Sequence, residues 1–421
     1  MTTAAWTSMF TAPLEGADPA IAALIERQRA DNAASVNLVA SESYCPRATL
    51  EAEASVLVNK NASGYPPQVS FAGGEVMDAI ERIAIERAKT LFGAEHANVQ
   101  SLSSTISNVA VLRGLLQPGD RILAFDRVAG GHSSHGGRSH VSGQDYLVES
   151  FGLDPETGLI DYDAAQAHAR AFRPRMIIAG SSAYPLQIDF ARLHAIAQNV
   201  GAMLFADIAH VAGLIVAGLH PNPTPFSDVV TTSTHKTFCG PRTGGLILCK
   251  ARHATAIDAA LAPGLQAAPG GHIIAARAVL FDRVTRPEFR ELMKNVVAGA
   301  ASLARGIAAG GLPLFAGGTD THMVVVDLRR TDWAEPAVNA HLERHGILGN
   351  TTTLPRRPGD KSSLGLRLGS TPMSIRGLPA EDFANLGAIV ATLIARGPGE
   401  VDAGMQQATK SLALAHPIPF G

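Results

Sequence analysis

The sequence predicts an α/β protein: a mostly parallel central sheet with helices on both faces, followed by a smaller α+β unit. Three observations carry this. Short apolar runs rich in β-branched residues recur along the first 250 positions, separated by segments of helical spacing. Chemistry-bearing residues (Ser182, Asp207, Lys236) stand where those runs end, and ligands of such sheets gather at the carboxyl ends of strands. The 421 residues, 46% apolar and 17% charged, suffice for a large core and a second, smaller one. The expected division is an N-terminal arm over 1–35, a large domain over 36–289 and a small C-terminal domain over 290–421.

In chain order, Asp18-Pro19 starts a helix, an N-cap followed by proline at the first helical position. Ile21, Leu24 and Ile25 give it one apolar stripe, which suits packing on a partner subunit or domain. The stretch Asn59–Glu75, rich in Gly, Pro and Ser, predicts an ordered loop. Helical spacing runs from Asp78 to Phe92 and stops at Gly93. A short strand covers Ala97–Gln100, and Ser103-Ser104-Thr105 leads a helix that continues to Leu116. Strands follow at Arg121–Asp126, Met176–Gly180, Met203–Asp207, Val229–Thr234 and Gly245–Cys249. A glycine-rich turn, Ala129–Gly136, lies between the first two of these. The C-terminal unit contains strands at Met323–Leu328 and Leu364–Gly369, a helix over Ala334–Arg344 and a final amphipathic helix over Glu381–Ala395.

The formal net charge of −2 gives no reason to expect nucleic acid or an anionic membrane as a partner. The N-terminus has no early basic residue or long apolar core, so no signal peptide is expected, and no apolar run approaches the roughly 20 residues that span a bilayer. Cys45, Cys239 and Cys249 show no metal-binding spacing and read as reduced thiols of a cytoplasmic protein. No metal site is expected.

The chemistry centres on Val229–Gly245. The strand ends at Ser233-Thr234-His235 and presents Lys236, one of seven lysines in the chain. A lysine in a poorly hydrated strand end has its pKa drawn down, which is what an imine-forming nucleophile requires. About thirty residues upstream another apolar strand ends on Asp207. Lysine and carboxylate on two strand ends suit pyridoxal phosphate, the lysine as covalent anchor and the aspartate as partner of the pyridinium nitrogen. His210, three residues on, is a core residue or a group of the same site. Ser103, Ser104 and Thr105 form either a plain N-cap or an anion site for the cofactor phosphate. Arg367, flanked by leucines on a strand, fits a structural ion pair or a bidentate contact to a substrate carboxylate.

The motifs STHKT, GPR-x-GG, DIAHVAGL, ASES, GGHSSHG and SSAY together resemble those of the serine hydroxymethyltransferases, fold-type-I pyridoxal phosphate enzymes, from about Asn37 to Arg376. The resemblance implies that Lys236 carries the cofactor, with Ser104, Thr105, His132, Ser182, Asp207, His210 and His235 around it, His132 stacked on the ring and Ser182 near the phenolic oxygen. Ser41 and Arg367 would hold the amino acid's carboxylate. Thr234 and His135 join the catalytic set with Lys236, His132 and Asp207. The segments near Asn61, Ser63 and Phe71 and near Ala268 would complete the site of a neighbouring subunit, as cofactor contacts (Asn61, Ala268) and substrate contacts (Ser63, Phe71). A homodimer, or a pair of dimers, is therefore expected.

Departures from the family pattern concentrate on its folate apparatus. Asn61 and Ser63 replace tyrosine and glutamate, and Ser70 and Phe71 replace a tyrosine pair. Arg127 and Ser133 replace folate-sandwiching leucines, Ala267-Ala268 replaces a glycine pair, and the folate asparagine corresponds to Thr352 or the nearby Asn350. The expected activity is that of an aldolase or hydroxymethyltransferase that makes or cleaves the Cα–Cβ bond of a β-hydroxy-α-amino acid without tetrahydrofolate, its partners being the amino acid and an aldehyde. The stretch Ser181–Asp189 is similar to the branch acting on 2-methylserine. The rivals are an orthodox folate-dependent hydroxymethyltransferase, a threonine-type transaldolase, and a silent cofactor-binding paralogue, which intact Lys236, Asp207 and Arg367 argue against. For the proton on the β-hydroxyl, His135 and a water held by Ser63 are the named bases.

Overall fold

The computed structural model describes residues 4–67, 71–242 and 244–420. It opens with helices α1 (Ala4–Thr11) and α2 (Pro19–Ala34), and the Asp18 carboxylate caps α2 by accepting from the Ile21 N–H at 3.1 Å. After strand β1 (Val36–Asn37), helix α3 runs over Glu75–Phe92 and ends on Gly93 in the left-handed conformation, φ 68°. Then come β2 (His96–Asn98), helix α4 (Ser104–Leu115), β3 (Arg121–Phe125), β4 (Leu147–Phe151), β5 (Met176–Ala179), β6 (Met203–Asp207), β7 (Val229–Ser233) and β8 (Gly245–Cys249). These seven strands form one sheet in the order β2-β8-β7-β6-β5-β3-β4. Strands β4, β3, β5, β6 and β7 run parallel, while β8 is antiparallel to both β7 and β2.

The fold class is as the sequence predicts, a mostly parallel sheet flanked by helices with a small antiparallel sheet beyond it. Strands β5, β7 and β8 are buried at every position, because helices cover both faces and leave no side for water. Strand β4, absent from the sequence expectation, is the sheet's edge. Its pattern is exposed at Leu147, Glu149 and Ser150, so it lacks the continuous apolar run that marks its neighbours.

The second sheet contains β9 (Met323–Asp327), β11 (Asn350–Thr353) and β12 (Leu364–Gly369) in the order β11-β12-β9, all antiparallel, and β10 (Ile347–Leu348) pairs with β1. Helix α5 (Pro287–Ala309) joins the two cores: Phe289, Met293 and Val296 pack with the large sheet, Ala300, Leu303 and Ile307 with the small one. Val36 and Leu38, which the sequence reading assigned to the large unit, also lie in the smaller core. Helix α6 (Phe383–Arg396) crosses α5 so closely that a Cβ on Gly306 would sit 2.0 Å from the Ala384 carbonyl. The last helix is not α6, as the sequence suggested, but α7 (Ala403–Ala415), which follows Gly397-Pro398-Gly399. Among the described residues no helix is long and apolar enough to cross a membrane, and all three cysteines are free thiols.

Candidate active site

The carboxyl ends of β5, β6 and β7 and the start of α4 converge on a cavity of about 360 Å³. Its wall includes Ser41, Ser104, Thr105, His132, His135, Ser182, Asp207, His210, His235, Lys236 and Arg367, brought together from the positions the sequence singled out. Parallel strands point their free ends the same way, which brings Ser182, Asp207 and Lys236 together. Ser41, from the segment after β1, and Arg367, from β12 of the small sheet, close the cavity from the other side, 326 positions apart.

Asp207 sits at the end of β6 and is buried. Its Oδ2 accepts from Asn108 Nδ2 at 2.8 Å and His135 Nε2 at 3.0 Å, and its Oδ1 accepts from the Ala209 N–H at 3.0 Å. Burial alone would raise its pKa, but the bonds from His135 and Asn108 outweigh it and hold the carboxyl well below its ordinary range. Asn108 is fixed in turn, its Oδ1 accepting from Thr231 Oγ1 at 2.6 Å. The result is a buried anion with lone pairs left for one more cationic N–H. The neighbouring Gly180, with φ 129°, lets β5 pass: a Cβ there would lie 2.1 Å from the Asp207 carbonyl.

His135 is fully engaged. Its Nε2 donates to Asp207, and its Nδ1 accepts from the His132 N–H at 3.4 Å. Neither nitrogen is free to take a substrate proton, so the expectation of His135 as a general base gives way to a role in holding Asp207. His132 Nδ1 accepts from the Ser134 N–H at 3.2 Å, and burial pushes its pKa down to about 4, leaving a neutral, flat ring on the cavity wall.

Lys236 follows β7, and its side-chain amine has no hydrogen-bond or ion-pair partner among the described residues. Burial lowers its pKa to about 8, with Asp207 opposing and Arg367 and Arg242 reinforcing the shift. Thr234 differs from expectation: its Oγ1 donates to the Pro241 carbonyl at 2.7 Å, its N–H reaches the Gly244 carbonyl at 3.3 Å, and its side chain is not on the cavity wall. It closes the loop that aims Lys236 and is not placed to touch a substrate.

His210 is buried with its pKa well below the ordinary value, chiefly through burial. It stacks on His322 with ring centroids 5.5 Å apart. Since His322 Nε2 donates to the Ala40 carbonyl at 3.1 Å, the His210 Nδ1 that faces it at 3.4 Å accepts, and the proton of His210 is on Nε2. Arg367, on β12, donates from Nε and Nη2 to Asn350 Oδ1 at 3.2 and 3.1 Å, and from Nη1 to the Ser182 carbonyl. Among the described residues it meets no carboxylate, so its charge is uncompensated in the protein and burial lowers its pKa to about 10. Asn350 is thereby committed to Arg367.

Asn61, Ser63, Phe71 and Ala268 lie outside this cavity, on surface segments of the same chain. Ser70 and Thr243 fall outside the described residues. Sequence reasoning missed Asn108, Arg242 and His322. Asn108 was within reach, one turn after Ser104 on the same helix face, and Arg242 lies within the quoted motif; nothing local marks His322.

This residue set fits pyridoxal phosphate. The unpaired Lys236 amine is a covalent anchor, the Asp207 anion suits a ring N–H, and the His132 ring offers a flat neighbour. The free amides and hydroxyls of Ser104 and Thr105 at the start of α4 suit a phosphate.

A family model described as serine hydroxymethyltransferase matches residues 14–390. Among curated proteins, a serine hydroxymethyltransferase of Mycobacterium avium (strain 104) is 42% identical over 417 residues, 98% of each chain.

Proposed function

The chain belongs to the serine hydroxymethyltransferase family, a family of pyridoxal phosphate-dependent enzymes, and we propose that it makes and breaks the Cα–Cβ bond of a β-hydroxy-α-amino acid, serine or 2-methylserine being the first candidates, without tetrahydrofolate. The single observation behind the folate-free reading is Ser63, which stands where the family carries a proton-handling, folate-touching glutamate. The changes at Asn61, Phe71, Arg127 and Ser133 point the same way.

When bound, pyridoxal phosphate supplies the electron sink for the pair left on Cα. Lys236 would hold it covalently, Asp207 its ring nitrogen, Ser104 and Thr105 its phosphate, and His132 one ring face, with Ser182 and His235 beside it. Arg367, unpaired by any carboxylate and fork-shaped, takes the amino acid's α-carboxylate together with Ser41. His210 donates from Nε2 and stays neutral. With His135 committed to Asp207, and Asp207 the one carboxylate on the wall among the described residues, the proton of the β-hydroxyl goes to Lys236 Nζ, once the incoming amino group has freed that amine from its covalent role. A pKa of about 8 leaves part of that amine neutral near neutral pH.

Folate-free incubation of the holoenzyme with serine, 2-methylserine, threonine and 3-phenylserine should release an aldehyde from at least one. Silence with all four overturns the reading. The 42% identity to a protein named serine hydroxymethyltransferase favours a second reading, the folate-dependent transfer, in which Arg127 would meet the glutamyl tail.

A further inference from the structure

A cavity of about 400 Å³ adjoins the Lys236 site, and His132 and His135 line both. Its remaining wall comes from Phe125 at the end of β3, the following Asp126 and Arg127, the turn through Arg138 and Ser139, and Ser150 on β4. The guanidinium groups of Arg127 and Arg138 have no hydrogen-bond or ion-pair partner among the described residues. One unpaired arginine on a surface is ordinary. Two on the wall of one concavity repel each other, and the concavity concentrates their field. Among the described residues the one carboxylate on this wall is Asp126, whose Oδ1 already accepts from the Val128 N–H at 2.8 Å, and burial keeps the shared His132 neutral, its pKa about 4. The balance is cationic, and guanidinium forks match carboxylate and phosphate oxygens.

We infer that this cavity seats the anionic end of an aldehyde that the enzyme joins to, or cuts from, the amino acid's Cα. The inference rests on the folate-free reading above and names its substrate class: aldehydes bearing a carboxylate or phosphate. In the joining direction a Cα–H bond breaks and its proton leaves to a base. Cα then bonds to the carbonyl carbon, and the carbonyl oxygen takes up a proton. Nothing is oxidised or reduced, and cleavage is the exact reverse.

The test compares succinic semialdehyde with butanal, a neutral aldehyde of the same chain length, using holoenzyme and glycine without folate. In the wild type kcat/KM should favour the anionic aldehyde by about tenfold, the scale of one charge-assisted hydrogen bond, and the preference should collapse in Arg127→Gln/Arg138→Gln. Calorimetric titration of both proteins with succinic semialdehyde is the second readout, with affinity about tenfold weaker in the double variant. A wild-type ratio near one, a ratio that survives the double substitution, or equal affinities would overturn the inference. If no aldehyde reacts without tetrahydrofolate, the folate-free reading falls while the titration still decides the cavity. If the double variant loses affinity for polyglutamylated tetrahydrofolate but not for the semialdehyde, the cavity belongs to folate and the inference is wrong.

Discussion

At the scale of single residues, the site sets a cationic amine and an anionic carboxylate in one poorly hydrated space and leaves the amine unpaired. Lys236 bears the cost. Its pKa falls from 10.5 to about 8, so between those values the native chain binds fewer protons than the unfolded chain, and its contribution to stability improves as pH rises. Below pH 8 the full penalty is present. Lys236→Met, prepared without cofactor, should therefore be more stable than the wild type at pH 7, by about 2 kcal/mol, with the gap closing as pH rises from 8 to 10.5. Urea titrations at pH 7 and pH 10 measure this, and a variant less stable at pH 7, or a gap independent of pH, contradicts it. Lys236 and Asp207 were legible in the sequence because ionisable residues that end apolar strands have few structural reasons to be there. The role of His135 was not. Its bond to Asp207 spans 72 positions, and nothing in the local sequence records which groups a tertiary fold brings to its ring.

At the scale of elements, strands buried on both faces announced themselves. Met203–Asp207 and Gly245–Cys249 were read to the residue, because a continuous apolar run has few other uses. The elements missed were those whose burial depends on neighbours: β4 pairs along one edge and leaves Leu147, Glu149 and Ser150 exposed, and α7 follows a Gly-Pro-Gly break that reads as a chain end. The sequence also could not show how tightly β5 and β6 approach beyond their last residues. Gly180 absorbs that contact with a φ of 129° and no Cβ. Gly180→Ala combines backbone strain with a clash against the Asp207 backbone and should cost about 3 kcal/mol. It should also loosen cofactor retention by shifting Asp207, an effect visible as faster loss of cofactor absorbance on dialysis. Wild-type stability and retention would show that the close approach is slack.

At the scale of the whole molecule, the chain carries a face it does not cover. Trp6, Met9 and Phe10 on α1 are 61, 79 and 77% exposed, and α2 buries only Ala22 while Ile21, Leu24 and Ile25 stand open. An apolar surface of this extent marks an interface, and Asn61, Ser63, Phe71 and Ala268 lie outside their own chain's cavity. We propose that a second copy completes both, in the commonest oligomeric symmetry. Light scattering should give a dimer or larger for the full chain and a smaller species once residues 1–34 are removed; a full-length monomer at assay concentration contradicts this. On the folate-free reading proposed above, Ser63 in place of a glutamate and Arg127 in place of a leucine are what would separate this chain from a folate-dependent enzyme. The most direct measurement is the initial rate of serine and 2-methylserine cleavage with and without saturating tetrahydrofolate. The account predicts the same rate in both. Acceleration by more than a few-fold would contradict it and make the enzyme a folate-dependent hydroxymethyltransferase.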